Sequence, residues 1–302
     1  MSDVGAATRF ASPVHLLKAL LLASLMALAG CAGGLSQSTR QALSVVVPHK
    51  VNFEELRYYG VRSKSAYDTE AQIKQDYPLA TRVRTIPSVD VRYFIETDHG
   101  TRTQTVSVRG TAEKPNIWED IEIKLVNDAI LGLQLHGGFQ KDSIAVWSDM
   151  KPYLISDYDI RITGHSLGAA IALILGGYAD AEGYTVKRIV NFGQPKVTNS
   201  EMSPELFEVT TRVIDDRDVV PMLPPPGYIP KYRHVAAEVI LRPGADYIYL
   251  DAHDADRVSI ADFWREFSDF SIKEHYMENY LANIENKIEN GATQVPYLFD
   301  GI

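Results

Sequence analysis

One cysteine in 302 residues leaves no partner for an intramolecular disulfide and no set of thiolates for a zinc cluster. Long apolar runs are equally scarce. The most apolar stretch, residues 19–29, is eleven residues, about half the length a helix needs to cross a bilayer. Basic residues are outnumbered, 30 Lys and Arg against 39 Asp and Glu, for a net charge of −9. A chain with that balance gains nothing from a phosphate backbone, which excludes general nucleic-acid binding. Missing too are a glycine-rich phosphate loop, a clustered metal-ligand spacing, solenoid-period repeats and low-complexity blocks, so no cofactor is expected. What is present is ordinary globular composition, 45% hydrophobic and 23% charged.

The apolar run follows Asp3, Arg9 and Lys18, the pattern of a signal-peptide core. Directly after it stands Leu28-Ala29-Gly30-Cys31, which resembles the lipobox of bacterial lipoproteins. That resemblance implies cleavage before Cys31 and lipidation of its sulfur, with the membrane as a partner. Residues 32–40 are small and polar and read as a flexible tether. Ala32 after the lipidated position resembles outer-membrane lipoproteins. The expected organisation is a signal peptide over 1–30, a lipidated N-terminus and tether over 31–40, and one domain over 41–302. The expected location is the bacterial cell envelope, at the outer membrane.

Beyond the tether, Phe53, Leu56 and Tyr59 share one helical face, predicting a helix near 53–67. Val89, Val91, Tyr93 and Ile95 alternate as in a strand, and a turn at 98–101 leads to a returning strand at 105–108. Residues 159–163, 189–192 and 209–214 read as further strands, 169–178 as a helix, and 238–250 as a hairpin turning at 243–246. Tyr280, Leu281, Ile284 and Ile288 mark one face of a closing helix. Strands alternating with helices predict α/β layering with a mixed, mostly parallel sheet flanked by helices.

Gly164-His165-Ser166-Leu167-Gly168 fits the G-x-S-x-G nucleophile elbow, with a strand-like segment before it and a helix-forming one after it. A serine needs a base within hydrogen-bond reach, and the base needs an orienting acid. In the chain order Ser, acid, His, residues alone leave Asp215, Asp216 and Asp218 as acids. They leave His234, His253 and His275 as bases.

The elbow and the stretches Val108-Arg109-Gly110-Thr111, Leu135-His136-Gly137-Gly138-Phe139, Phe192-Gly193-Gln194-Pro195-Lys196-Val197 and Asp218-Val219-Val220-Pro221 resemble, in order, the motifs of the class 3 lipases. These are α/β-hydrolases typified by fungal triacylglycerol lipases, and the resemblance covers roughly residues 50–285. It implies the α/β-hydrolase fold and a Ser166–His275–Asp218 triad. Asp218 sits at the family's D-V-V-P position, and His275 opens a segment like the family's closing one. It also implies an oxyanion hole from Thr111 and Leu167. Asp215 and Asp216 are then expected in a solvated acidic loop and His253 on a solvated loop. His136 should be a hydrogen-bonded structural histidine, and His165 packed beside the nucleophile. A ring nitrogen of His275 is expected within about 3.5 Å of the Ser166 hydroxyl. The family's lid would fall near 112–123, where five charged residues predict a short cover and weak interfacial activation.

The implied function is a membrane-tethered serine esterase acting on lipid or short-chain esters. A phospholipase, and an inactive envelope-binding lipoprotein on the same fold, are the competing readings.

Overall fold

The computed structural model describes residues 37–110, 124–216, 218–224, 231–256 and 272–298. Cys31, Thr111 and the expected lid segment lie outside them. Part of the expected tether is helical. Helix α1 (Gln37–Leu43) has no glycine or proline to break it, and its Leu43 is buried with Ile240, Ile248, Leu250 and Tyr297.

The remaining helices are α2 (Phe53–Ser65), α3 (Glu70–Asp76), α4 (Gly137–Met150), α5 (Leu167–Ala181), α6 (Pro204–Val209) and α7 (Met277–Asn290). The strands are β1 (Ala80–Ile86), β2 (Val91–Asp98), β3 (Thr103–Val108), β4 (Leu125–Asn127), β5 (Gln134–His136), β6 (Asp159–His165), β7 (Thr185–Phe192), β8 (Thr210–Asp215), β9 (Ala237–Leu241), β10 (Asp246–Leu250) and β11 (Thr293–Gln294). Nine strands form one sheet in the order β1-β2-β3-β6-β7-β8-β9-β10-β11, and β4 and β5 pair separately. The centre, β3 through β9, is parallel. Antiparallel pairs flank it on one side as β1-β2-β3 and on the other as β9-β10.

Both faces of this sheet are covered. On β7, Ile189 points into a cluster with Val146, Trp147 and Ile171 of α4 and α5. Its neighbours Val190 and Phe192 join Phe53 and Leu56 of α2 and Tyr280 and Ile284 of α7 on the other face, as strand alternation requires. Helix α5 is buried from Gly168 through Ala179, which explains why its sequence is apolar all round. A parallel sheet with helices on both faces opens its functional crevice at the C-terminal strand ends. Here those ends deliver Gly110 after β3, Ser166 after β6, Gly193 after β7 and Asp218 after β8.

Helices α3, α4 and α6 and strands β1, β4, β5 and β11 escaped the sequence reading, and for α4 and β1 the physical reason is plain. Helix α4 begins with two glycines and is capped by His136, whose Nδ1 accepts from Phe139 N–H at 3.4 Å; neither is a usual start signal. Strand β1 contains a register shift between Ala80 and Arg82, which breaks its alternation.

Candidate active site

Ser166 joins β6 to α5 with φ 58° and ψ −129°, a left-handed backbone that costs a side-chain-bearing residue free energy and concentrates at functional sites. The flanking glycines follow from contact. A Cβ on Gly164 would lie 2.3 Å from Gly168 O, and one on Gly168 2.4 Å from Val108 O. The elbow is held by Ser166 N–H donating to Phe192 O at 3.0 Å, while Ser166 O accepts from Ala169 N–H at 3.0 Å. Leu167 is therefore the first residue of a 15-residue helix, whose positive end favours a developing anion beside the serine.

Asp218 lies just past β8 and is fully buried. Its Oδ1 accepts Val220 N–H at 2.8 Å. Its Oδ2 accepts His275 Nδ1–H at 2.7 Å and the Tyr280 hydroxyl. Burial alone would raise this carboxyl, but the His275 imidazole and the hydrogen bonds from His275, Tyr280 and Val220 outweigh it and hold Asp218 below the ordinary carboxylate range. His275 closes a short 3₁₀ turn (Ile272–His275) ahead of α7. Gly193 shows how tightly these groups converge: a Cβ there would sit 2.8 Å from both Asp218 Oδ2 and His275 Cε1.

Ser166 Oγ is buried and has no hydrogen-bond partner among the described residues. The expected bond to His275 is thus not made in this state. Catalytic contacts of this kind are commonly long or misaligned before substrate binds and tighten with it. The structure joins Asp218 and His275 directly. Leu167 opens α5, whereas Thr111, the other expected oxyanion donor, follows Gly110 outside the described residues.

The other candidates separate cleanly. His253 is exposed and paired with Asp254. Buried His234 bonds the carbonyl of Pro221 through Nε2, bracing the acid loop. Lys196 does the same through Met222 O at 2.9 Å and Pro224 O at 3.3 Å. His136 caps α4 and is pulled down to about 4 by burial. The ring of His165 lies 4.5 Å from that of His275. Asp216 pairs with Arg242.

Asp215 differs from expectation. It does not lie in a solvated loop but is 6% exposed, because it is the last residue of the interior strand β8, paired with Leu241 of β9. Burial, then the charges of Asp218 and Glu274, push its carboxyl up to about 7 from 3.8. Tyr280 and Tyr67 were also missed as site residues. Tyr280 was legible only as a helix-face residue, and Tyr67 only as the end of a helix.

A raised carboxyl pKa means the native state holds a proton that the unfolded chain releases. Stability is therefore lost as pH climbs from about 4 through about 7, by of order 4 kcal/mol in full. Asp215→Asn is expected to melt above the wild type at pH 8, with the gap narrowing at pH 5. Equal gaps at both pH values in thermal unfolding would show that Asp215 is ionised in the native state.

Residues 105–228 match the class 3 lipase family. The secreted mono- and diacylglycerol lipase 1 of Fusarium solani is 27% identical over 161 residues, 50% of this chain and 47% of that protein. Lip2 lipase from Yarrowia lipolytica superposes with a TM-score of 0.57 at 20% identity, covering 69% of this chain and 90% of that one. A triacylglycerol lipase whose catalytic centre is a serine-protease triad superposes with a TM-score of 0.50 at 22% identity, covering 65% and 83%. The fold is that of the α/β-hydrolases. The chain spans about half the length of the relatives it matches in sequence, 54% and 47% for two of them.

These relatives also correct the expected location. They come from Saccharomyces cerevisiae, Fusarium solani, Caenorhabditis elegans and Rhizomucor miehei, and one is named as secreted. They point away from a bacterial outer-membrane anchor. The anchor rested on one short apolar run and the few residues around Cys31, a pattern with far less information than matches along the folded domain. Among the described residues no helix is long and apolar enough to cross a membrane.

Proposed function

We propose that this protein is a serine hydrolase of carboxylic esters, acting on lipid esters through an acyl-enzyme on Ser166. The observation that carries the reading is the buried Asp218–His275 pair at the strand ends that also present the strained Ser166 elbow. Asp218 fixes the His275 tautomer with Nδ1–H inward, which leaves Nε2 with the lone pair that a general base needs. His275 takes the Ser166 proton as Oγ attacks the ester carbonyl. The carbonyl oxygen gathers charge toward Leu167 N–H at the start of α5 and toward Thr111 N–H. The same imidazole then protonates the departing alcohol, and water repeats the cycle to release the acid. Asp218, unable to leave the buried pair, stabilises the imidazolium formed at each transfer.

The lipid-ester assignment takes support from the relatives' names, of which one specifies mono- and diacylglycerols. A panel of mono-, di- and triacylglycerols, a diacyl phospholipid and a short-chain nitrophenyl ester, followed by titration of released acid, tests it. Hydrolysis of the acylglycerols above the phospholipid is expected. Turnover of the phospholipid alone would reassign the substrate class, and no turnover of any ester would make the fold an inactive scaffold.

A further inference from the structure

Two side chains at the site have no part in the steps above, yet both are buried against it. Tyr67, just after α2, places its hydroxyl 2.9 Å from His165 Nδ1. His165 Nε2 lies 2.7 Å from the backbone carbonyl of His275. A carbonyl only accepts, so His165 must carry its proton on Nε2 and donate to His275 O. Its Nδ1 is then an acceptor, and Tyr67 must be the donor there. Burial and the neighbouring His275 charge lower His165 to about 3, so this single tautomer persists across the pH range of an esterase. Gly110 packs directly against the Tyr67 hydroxyl. The geometry is close: a Cβ on Gly110 would lie 2.6 Å from Tyr67 Oη, 2.8 Å from His165 O and 3.2 Å from Ser166 Cβ.

The direction of both bonds is therefore fixed, from Tyr67 to His165 to the main chain of His275, with Gly110 packed against the Tyr67 end. The series spans four separate segments: the end of β3 that leads to the oxyanion strand end, the end of α2, the residue before the nucleophile, and the residue that carries the base. Sequence separations of 98 and 110 residues show that no local propensity sets this arrangement. The His165 ring also lies against the His275 ring at 34° between planes, limiting how the base can tilt.

We propose that Tyr67 and His165 act as one positioning unit that holds the base-bearing backbone in register with the oxyanion strand end. The inference rests on the hydrolase reading above. Neither residue touches the reacting atoms; each acts through His275 and Gly110. Breaking the unit leaves the triad residues present but lets His275 and the oxyanion amides drift relative to each other. A misplacement of about 1 Å in such a site costs about a hundredfold in rate.

The test is steady-state kinetics on a soluble short-chain ester with Tyr67→Phe, His165→Gln and the double variant. Tyr67→Phe keeps the ring and removes only the donor to Nδ1. Gln at 165 keeps an amide donor for His275 O while losing the aromatic acceptor. Each single variant is expected to lower kcat by about tenfold to a hundredfold with KM little changed. The double variant should be no slower than the worse single one, because the two residues form one unit. The downfield proton resonance expected for His275 Nδ1–H in the wild type should broaden or shift in both.

A merely structural role predicts a different set: lower melting temperature, unchanged kcat per folded molecule and an unmoved resonance. That result overturns the proposal, as does full multiplication of the two single effects. If Tyr67→Phe does not fold, His165→Gln carries the same expectation by itself. Failure of the hydrolase reading is separable, because the wild type would then show no turnover and no labelling by a fluorophosphonate.

Discussion

Ser166→Ala is expected to lower kcat by about 10⁶, the loss seen when the nucleophile of a serine triad is removed. The substitution deletes one buried oxygen that has no hydrogen-bond partner among the described residues. Folding stability should therefore stay at or slightly above the wild type, since removing an unsatisfied buried hydroxyl relieves a desolvation cost. The left-handed backbone at residue 166 is kept, as alanine meets the same steric cost as serine there. A large loss of rate with an unchanged melting temperature is the signature to look for. A fall of only tenfold to a hundredfold would mean that another group performs the attack.

The second large effect belongs to Asp218. Asp218→Asn is expected to lower kcat by about 10⁴, and the surrounding hydrogen bonds explain why the asparagine has no comfortable orientation. Val220 N–H needs an acceptor at one side-chain atom, and the Tyr280 hydroxyl and His275 Nδ1 need one at the other. An amide offers one acceptor and one donor. Turning its NH₂ toward His275 forces Nδ1 to accept, which moves the ring proton to Nε2 and removes the lone pair that the base requires. Turning it toward Val220 sets two donors against each other in a buried site. Asp216→Asn, by contrast, alters a pair with Arg242 away from the triad, and near-wild-type kcat is expected. If the two substitutions exchange their effects, the acid is Asp216.

The sequence carried most of the central sheet and the nucleophile because both are written in local pattern. The alternation of Val91, Tyr93 and Ile95 on β2 reflects one face turned to the main core, and the apolar run of α5 reflects burial all round. The elbow glycines fall in one five-residue motif, although Gly168 is required by its approach to Val108 of β3. The acid was harder to read. Three aspartates, the last residue of β8 and two just after it, fall within four positions. The family's D-V-V-P pattern singled out Asp218, and the fold shows the physical difference, with Asp218 fully buried, Asp215 forced partly neutral and Asp216 paired with arginine. Order alone left three histidines for the base. What selects His275 in the structure is its place at the foot of α7, which carries Tyr280 to the same carboxylate from 62 residues away. Tyr67 was invisible as a site residue for the same reason. Its role depends on partners about a hundred residues distant, and a tyrosine ending an amphipathic helix gives no sign of them. Part of the expected tether is helical because Gln37 and Arg40 are good helix formers and Leu43 has a surface to bury.

The most direct test is covalent labelling of the wild-type protein by a fluorophosphonate, read by intact mass and by mapping the adduct to a residue. An activated serine displaces fluoride and retains the phosphonyl group without any need for the natural substrate. One adduct per chain, on Ser166, lost in Ser166→Ala and strongly slowed in Asp218→Asn, is the predicted result. An unlabelled protein, or an adduct on any other residue, would contradict the account.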